Sequence, residues 1–172
     1  MLTLVLGGAA SGKTTLSREL SELYPGSAVF HADDFFLRPE QRTEARYAQP
    51  GGNLDRERLE SEILIPISRN KAAVYRLFDC RTLSLREPVT VLPGRLNIVE
   101  GSYSFHPELA RYYDLSVFLD ISPETQRSRI LKRNGPEWGQ QFFDRWVPLE
   151  QTYFHETDTQ GRCTLALKEE IR

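Results

Sequence analysis

The stretch LTLVLGGAASGKTTL, residues 2 to 16, constrains the fold more than any other part of the chain. An apolar run leads into a glycine-rich turn and then into a helix opening. Gly7, Gly12, Lys13 and Thr14 fit G-x-x-x-x-G-K-[ST] without a mismatch. The spacing has a physical reason. A phosphate chain carries several negative charges, and backbone N–H groups can surround it only if the loop curls tightly, which glycine permits. The helix that follows aims the unsatisfied N–H groups of its first turn at the same anion. Gly7, Gly8, Ala9, Ala10, Ser11, Gly12, Lys13, Thr14 and Thr15 are therefore the candidate nucleotide-binding residues. Lys13 is placed to reach the β- and γ-phosphates, and the Thr14 hydroxyl to ligate Mg²⁺. An ordinary Gly-rich turn is the competing reading. The apolar strand before the turn and the amphipathic helix after it favour the phosphate cradle.

Strand and helix signals alternate through the rest of the chain. Leu16, Leu20 and Leu23 fall at helical spacing, and YPG ends that helix. SAVFHA reads as a second strand, and residues 38–53 as a loop or at most a short helix. Leu54, Leu59, Ile63 and Ile67 restore helical periodicity, with Asn53 as the expected N-cap. AAVYRLF and LNIVEG are strand-like, with the Pro-containing stretch 81–94 between them. DLSVFLD (114–120) is a further strand. SPET then opens a helix, with Ser122 as cap and Pro123 at the first position. RNGPEWG interrupts that helix before an aromatic-rich helical segment at roughly 138–155, and RCTLAL closes the series as a last strand. This alternation predicts one α/β domain with a parallel sheet.

Composition removes several classes. The chain has 172 residues, 40% hydrophobic and 27% charged, with a formal net charge of −2 and no basic excess of the kind a nucleic-acid binder carries. No run approaches the ~20 apolar residues of a membrane span. The apolar start lacks the basic leader of a signal peptide. Two cysteines, Cys80 and Cys163, make neither a disulfide framework nor a zinc site. A cytoplasmic protein is expected, with no nucleic-acid or membrane partner. The residues leave a homo-oligomer open.

Phosphoryl transfer needs a metal, cations on the migrating group, and an acceptor for the hydroxyl proton. Three stretches can supply them. FHADDFF (30–36) places two carboxylates and aromatics just past a strand, although a solvated loop with an Asp cap has the same letters. NIVEG (97–101) ends an apolar strand in Glu100, on the edge where the phosphate loop lies; a plain strand-end charge is its alternative. In the helix after SPET, Arg129 and Arg133 are four apart and share a face, whereas Arg127 and Arg129 do not. His31 beside Asp33 reads more simply as packed or solvated. Among Trp138, Phe142, Phe143, Trp146, Tyr153 and Phe154, most are expected in the core, and one or two as walls of an acceptor pocket.

Together with YAQPGGNLD, FDCRT, VEGSY, YYDLSVFLD and RILKRNG, these stretches resemble the uridine kinase family and its relatives, the nicotinamide riboside kinases and phosphoribulokinases. The resemblance covers most of the chain. It implies a P-loop NTPase fold, three-layer α/β/α around a central, mainly parallel sheet. Residues 1–172 would then form one kinase domain, with a small lid at about 133–138. The resemblance further implies ATP and Mg²⁺ as cofactors and a small-molecule acceptor, most simply uridine or cytidine, phosphorylated at its 5′-hydroxyl. Nicotinamide riboside or another small hydroxylated metabolite is the alternative acceptor. By the same resemblance Asp33 is the base, Thr14 and Glu100 serve the metal, and Lys13, Arg129 and Arg133 carry phosphate charge. Phe36, Tyr47, Phe78 and Arg81 stand where acceptor-binding residues stand, together with Asp33. Ala48 departs from the pattern, because a ribose-binding Asp commonly occupies that position. From another class, an acceptor-independent regulatory ATPase would share the phosphate loop.

Overall fold

A computed structural model of the chain describes residues 1–169. β1 (Leu2–Gly7) is buried along its whole length, as expected of a central parallel strand. It lies between β5 (Asn97–Glu100) and β6 (Leu115–Asp120). β2 (Ala28–His31) adds outside β5, and β7 (Leu165–Lys168) adds outside β6. The resulting five-stranded sheet has the order β2-β5-β1-β6-β7, parallel throughout. The connection after β1 runs to one side of the sheet, to β2, and the connection after the neighbouring β5 runs to the other, to β6, so a crevice opens at the carboxyl ends of β1 and β5.

Alternation along β1 sends Leu4 and Leu6 to one face and Val5 to the other. Leu16 and Leu20 of α1 (Lys13–Leu23) cover Val5 and Ile98, while Leu23 is left exposed. The opposite face carries the larger core, where Leu4, Leu6, Phe30 and Val99 meet Leu59, Ile63 and Tyr153. This is the three-layer α/β/α arrangement of a P-loop NTPase.

The 38–53 region contains the short helix α2 (Glu44–Tyr47). The next helical segment runs through α3 (Arg56–Leu59), a π-helical turn (Glu60–Leu64) and α4 (Ile65–Ser68). Its apolar stripe is as expected, but its cap is not. The N-cap is Asp55 rather than Asn53, because Leu54 is pinned in an isolated bridge to Phe36 and the helix starts beyond it. The buried Asp55 carboxylate accepts from Arg58 N–H at 3.2 Å and from Gln41 Nε2 at 2.8 Å. Asp55→Ala leaves both donors without that acceptor. It should lower stability by about 2 kcal/mol, seen as a fall of roughly 4–8 °C in melting temperature.

Residues 81–94 depart from expectation as well. β3 (Ala73–Asp79) does not join the parallel sheet but pairs antiparallel with β4 (Ser84–Val91) in a separate two-stranded ribbon. Farther on, the Ser122 hydroxyl caps α5 (Pro123–Gln141) by accepting from Thr125 N–H at 3.1 Å. Within α5, Gly135 at φ 76°, ψ 170° breaks the helical geometry just before Pro136, which excludes its predecessor from the α region. A second π-helical turn (Phe142–Trp146) leads into α6 (Val147–Glu156). Each π turn lies two residues before a proline, Pro66 or Pro148, whose missing N–H disrupts the ordinary helical ladder. A short helix, α7 (Thr159–Arg162), precedes β7. No helix among the described residues is long and apolar enough to cross a membrane.

Candidate active site

The phosphate loop leaves β1 at Gly7, whose φ of 145° and close packing exclude a side chain: an added Cβ would lie 2.6 Å from the Leu119 carbonyl oxygen. Gly12, at φ 100°, turns the chain into α1. The first-turn N–H groups of Lys13, Thr14 and Thr15 have no partner within the helix and are free for an anion. Lys13 Nζ donates to the Gly8 carbonyl at 2.9 Å, which holds the ammonium against the loop.

A single cleft of about 1110 Å³ spans the loop and the neighbouring strand ends. Ala9, Ala10, Ser11, Gly12, Lys13, Thr14 and Thr15 line it, together with Asp33, Glu100, Arg129 and Arg133. Phe36 and Tyr47 line it too. The structure thus brings together most of the residues singled out from the sequence. Gly7, Gly8, Phe78 and Arg81 are outside the lining. Phe78 is buried in the β3–β4 ribbon with the Arg42 guanidinium over its ring, and Arg81 is exposed at the turn, its N–H donating to Asp79. Ala48 borders a separate, much smaller hollow with Tyr47 and Gln49. Arg127 stacks on Phe143, whereas Arg129 donates to the Ala10 carbonyl at 3.4 Å and pairs with Glu169.

Strand register explains the acidic end of the cleft. His31 and Glu100 are direct neighbours across β2 and β5, at the carboxyl edge of the sheet. His31 Nδ1 lies 2.6 Å from Glu100 Oε1, which also accepts from Thr14 Oγ1 at 3.1 Å. Burial alone would raise the Glu100 pKa, but the His31 hydrogen bond and the Lys13 charge outweigh it and hold the carboxyl below its ordinary 4.5. The hydrogen bond to Glu100 raises His31 above 6.5 against its own partial burial. His31 is therefore tied into the site rather than simply packed.

Asp33 follows in the 3₁₀ turn Ala32–Phe35 that continues β2, where Ala32 and Phe35 are buried and Asp33 opens to the cleft. The protein wall around it strips water from its carboxyl and raises its pKa above 3.8, with Lys13 opposing. A carboxylate of raised basicity beside a cationic phosphate loop can accept a hydroxyl proton.

A magnesium ion fits this donor set. Mg²⁺ keeps several waters and takes phosphate oxygens, so it asks one or two oxygens of the protein rather than a full cage. The Thr14 hydroxyl and Glu100 carboxylate meet that need. Among the described residues no group of three or more His, Cys, Asp or Glu side chains could hold a metal by itself.

Several cleft residues are not among the site candidates that the sequence singles out: Arg42, Asn53, Ser102, Tyr103, Arg145 and Glu150. Of the aromatic series, Phe142 and Trp146 wall the cleft, Tyr153 is fully buried, Phe154 packs on Phe118, and Trp138 is exposed.

No protein-family model matches the chain. Curated relatives include "Uridine-cytidine kinase 2-B" of Danio rerio, 26% identical over 173 residues and 88% of this chain. Another is the "Uridine kinase" of Brevibacillus brevis, 27% identical over 144 residues and 78% of this chain. The chain spans 66% of the length of each of these relatives. Among solved structures, a "Possible Uridine Kinase from Bacillus stearothermophilus" superposes with a TM-score of 0.73 at 19% identity, covering 97% of this chain and 88% of that one. "D-glycerate 3-kinase" of Cryptococcus neoformans superposes with a TM-score of 0.55 at 18% identity, covering 87% and 77%. The chain is thus similar in sequence to uridine kinases over most of its length and has the fold of the P-loop kinases.

Proposed function

We propose that the chain is an ATP- and Mg²⁺-dependent small-molecule kinase that transfers the γ-phosphoryl group to a hydroxyl, most simply the 5′-hydroxyl of uridine or cytidine. The observation that carries this reading is the cleft joining the phosphate loop to Asp33, a carboxyl whose pKa is raised above 3.8 and which would serve as the proton acceptor. A hydrolase acting on water alone has no need of the aromatic wall that Phe36, Tyr47 and Trp146 add to that cleft, whereas a ring-bearing acceptor does. Relatives named uridine kinase support the same acceptor class.

In this mechanism the loop amides and Lys13 hold the phosphates, and the acceptor hydroxyl lies against Asp33. Asp33 takes its proton as the phosphoryl group moves in line, and Arg129 and Arg133 neutralise charge on the migrating group. Bound beside Thr14 and Glu100, Mg²⁺ would neutralise the phosphate oxygens. Positioning and charge stabilisation supply nearly all of the catalysis in such a site.

Ala48, in place of a ribose-binding carboxylate, favours a second acceptor class within the same reaction, a hydroxylated metabolite without a ribose. Purified protein with ATP and Mg²⁺ should be offered uridine, cytidine, nicotinamide riboside, glycerate and simple sugars, with products identified by mass spectrometry. A nucleoside 5′-monophosphate as the dominant product is the expected outcome. A phosphorylated non-nucleoside would move the acceptor to the second class, and the absence of any phosphorylated product would contradict the kinase reading.

A further inference from the structure

The crown of the phosphate loop is held by an unusual set of side chains. Lys13 takes the Gly8 carbonyl, Gln126 the Ala9 carbonyl at 3.1 Å, and Arg129 the Ala10 carbonyl. The Ala9 N–H donates to a carboxyl, Glu150 Oε2, at 2.7 Å. Glu150 belongs to α6 and is only 6% exposed. Its other oxygen lies 2.7 Å from Ser102 Oγ, which also lies 3.0 Å from the Gly7 carbonyl oxygen. Ala10, next in the loop, has φ 60°, a conformation costly for a residue with a Cβ and kept only where its surroundings over-determine it.

Ser102 sets the proton arrangement of this network. Its hydroxyl has one hydrogen and two oxygens in reach, Gly7 O and Glu150 Oε1. An ionised Glu150 would draw that hydrogen and leave Gly7 O without it. A protonated Glu150 completes the chain: Oε1–H donates to Ser102 Oγ, Ser102 donates to Gly7 O, and Oε2 still accepts from Ala9 N–H. A neutral acid also places no negative charge on a loop built for anions. Burial pushes the Glu150 carboxyl above its ordinary value, although Lys13 and the two hydrogen bonds oppose it.

We propose that Glu150 is a positioning residue that acts as a neutral acid, donating through Ser102 to Gly7 and accepting from Ala9, so that the phosphate loop is preset for nucleotide. Both of its carboxyl oxygens are engaged by Ala9 and Ser102, so it works through the loop backbone. This inference rests on the kinase reading, since it gives the loop its ligand.

ATP binding by titration calorimetry in the presence of Mg²⁺, on the full chain, tests it. Glutamine reproduces the neutral acid, with its carbonyl for Ala9 and its NH₂ for Ser102. Glu150→Gln should therefore bind ATP within about threefold of wild type, whereas Glu150→Ala should bind about tenfold more weakly. Ser102→Ala, which keeps Glu150 but cuts the link to Gly7, should show an intermediate loss, and it serves if Glu150→Ala does not fold. Equal impairment of Gln and Ala at position 150 would mean that a negative charge is required and would overturn the proposal. So would wild-type affinity in both Glu150→Ala and Ser102→Ala. If wild-type protein bound no ATP, the kinase reading would fall and this inference with it; ATP binding unaffected by these substitutions would sink the inference alone.

Discussion

Asp33→Asn should cut acceptor phosphorylation by about 10²- to 10⁴-fold while leaving the ATP dissociation constant within about twofold. The asymmetry follows from geometry. Asp33 lies in the turn just past β2 and is not itself part of the proposed phosphate-binding loop, and its proposed work begins only when a hydroxyl must lose a proton. Because the cleft walls around it exclude water and raise its pKa above 3.8, the wild-type rate should fall as pH drops through that raised value, where the base is protonated and idle. The acid limb should vanish in Asp33→Asn. Stability should move the opposite way. A carboxyl whose folded pKa exceeds its unfolded value destabilises the fold as pH rises past 3.8, so the Asn variant should melt no lower than wild type at pH 7. Activity lost together with stability would point to a structural role instead. Rate against pH and melting temperature, measured on both proteins, decide between the two.

The second large effect is expected at Lys13. Lys13→Met should reduce turnover by about 10²- to 10³-fold and also weaken ATP binding, since it removes a preorganised cation from the migrating group. Lys13 has a further electrostatic duty that can be read separately. Its charge opposes the burial that raises Asp33 and helps hold Glu100 down. Residual activity in Lys13→Met should therefore show its acid limb at higher pH than wild type. A large loss of rate with an unmoved limb would separate Lys13 from Asp33 and break the electrostatic account of the site.

What the sequence discloses about this chain depends on how far each feature reaches along it. The phosphate loop is legible because Gly7, Gly12 and Lys13 answer to constraints within eight residues, namely a left-handed turn, a close backbone approach and a helix start. DDFF and VEG are legible as carboxylates at strand ends, and the parallel sheet brings those ends together. Strand β4 is obscured by its surface. It carries Arg86, Glu87 and Pro88, is exposed along nearly all its length, and therefore shows no buried face. Proline is tolerated there because the ribbon has only two strands and thus only edges. In the NLD cap, two good capping residues stand two apart, and only the tertiary bridge between Phe36 and Leu54 selects Asp55. Glu150 is the clearest loss. In an aromatic-rich helix a glutamate reads as the solvated face, yet its partner Ala9 lies 141 residues away, beyond the reach of any local pattern.

The rate of ADP formation from ATP and Mg²⁺, with and without acceptor, separates phosphoryl transfer from hydrolysis. Uridine is the first acceptor to use, followed by the others of the panel. Transfer through Asp33 predicts that one acceptor raises ADP formation by at least about a hundredfold over the water reaction, with one phosphorylated acceptor per ADP, and that Asp33→Asn abolishes the stimulation. ADP released at the same rate with every acceptor as with none, with inorganic phosphate as the only product, would contradict it and make the chain an ATPase.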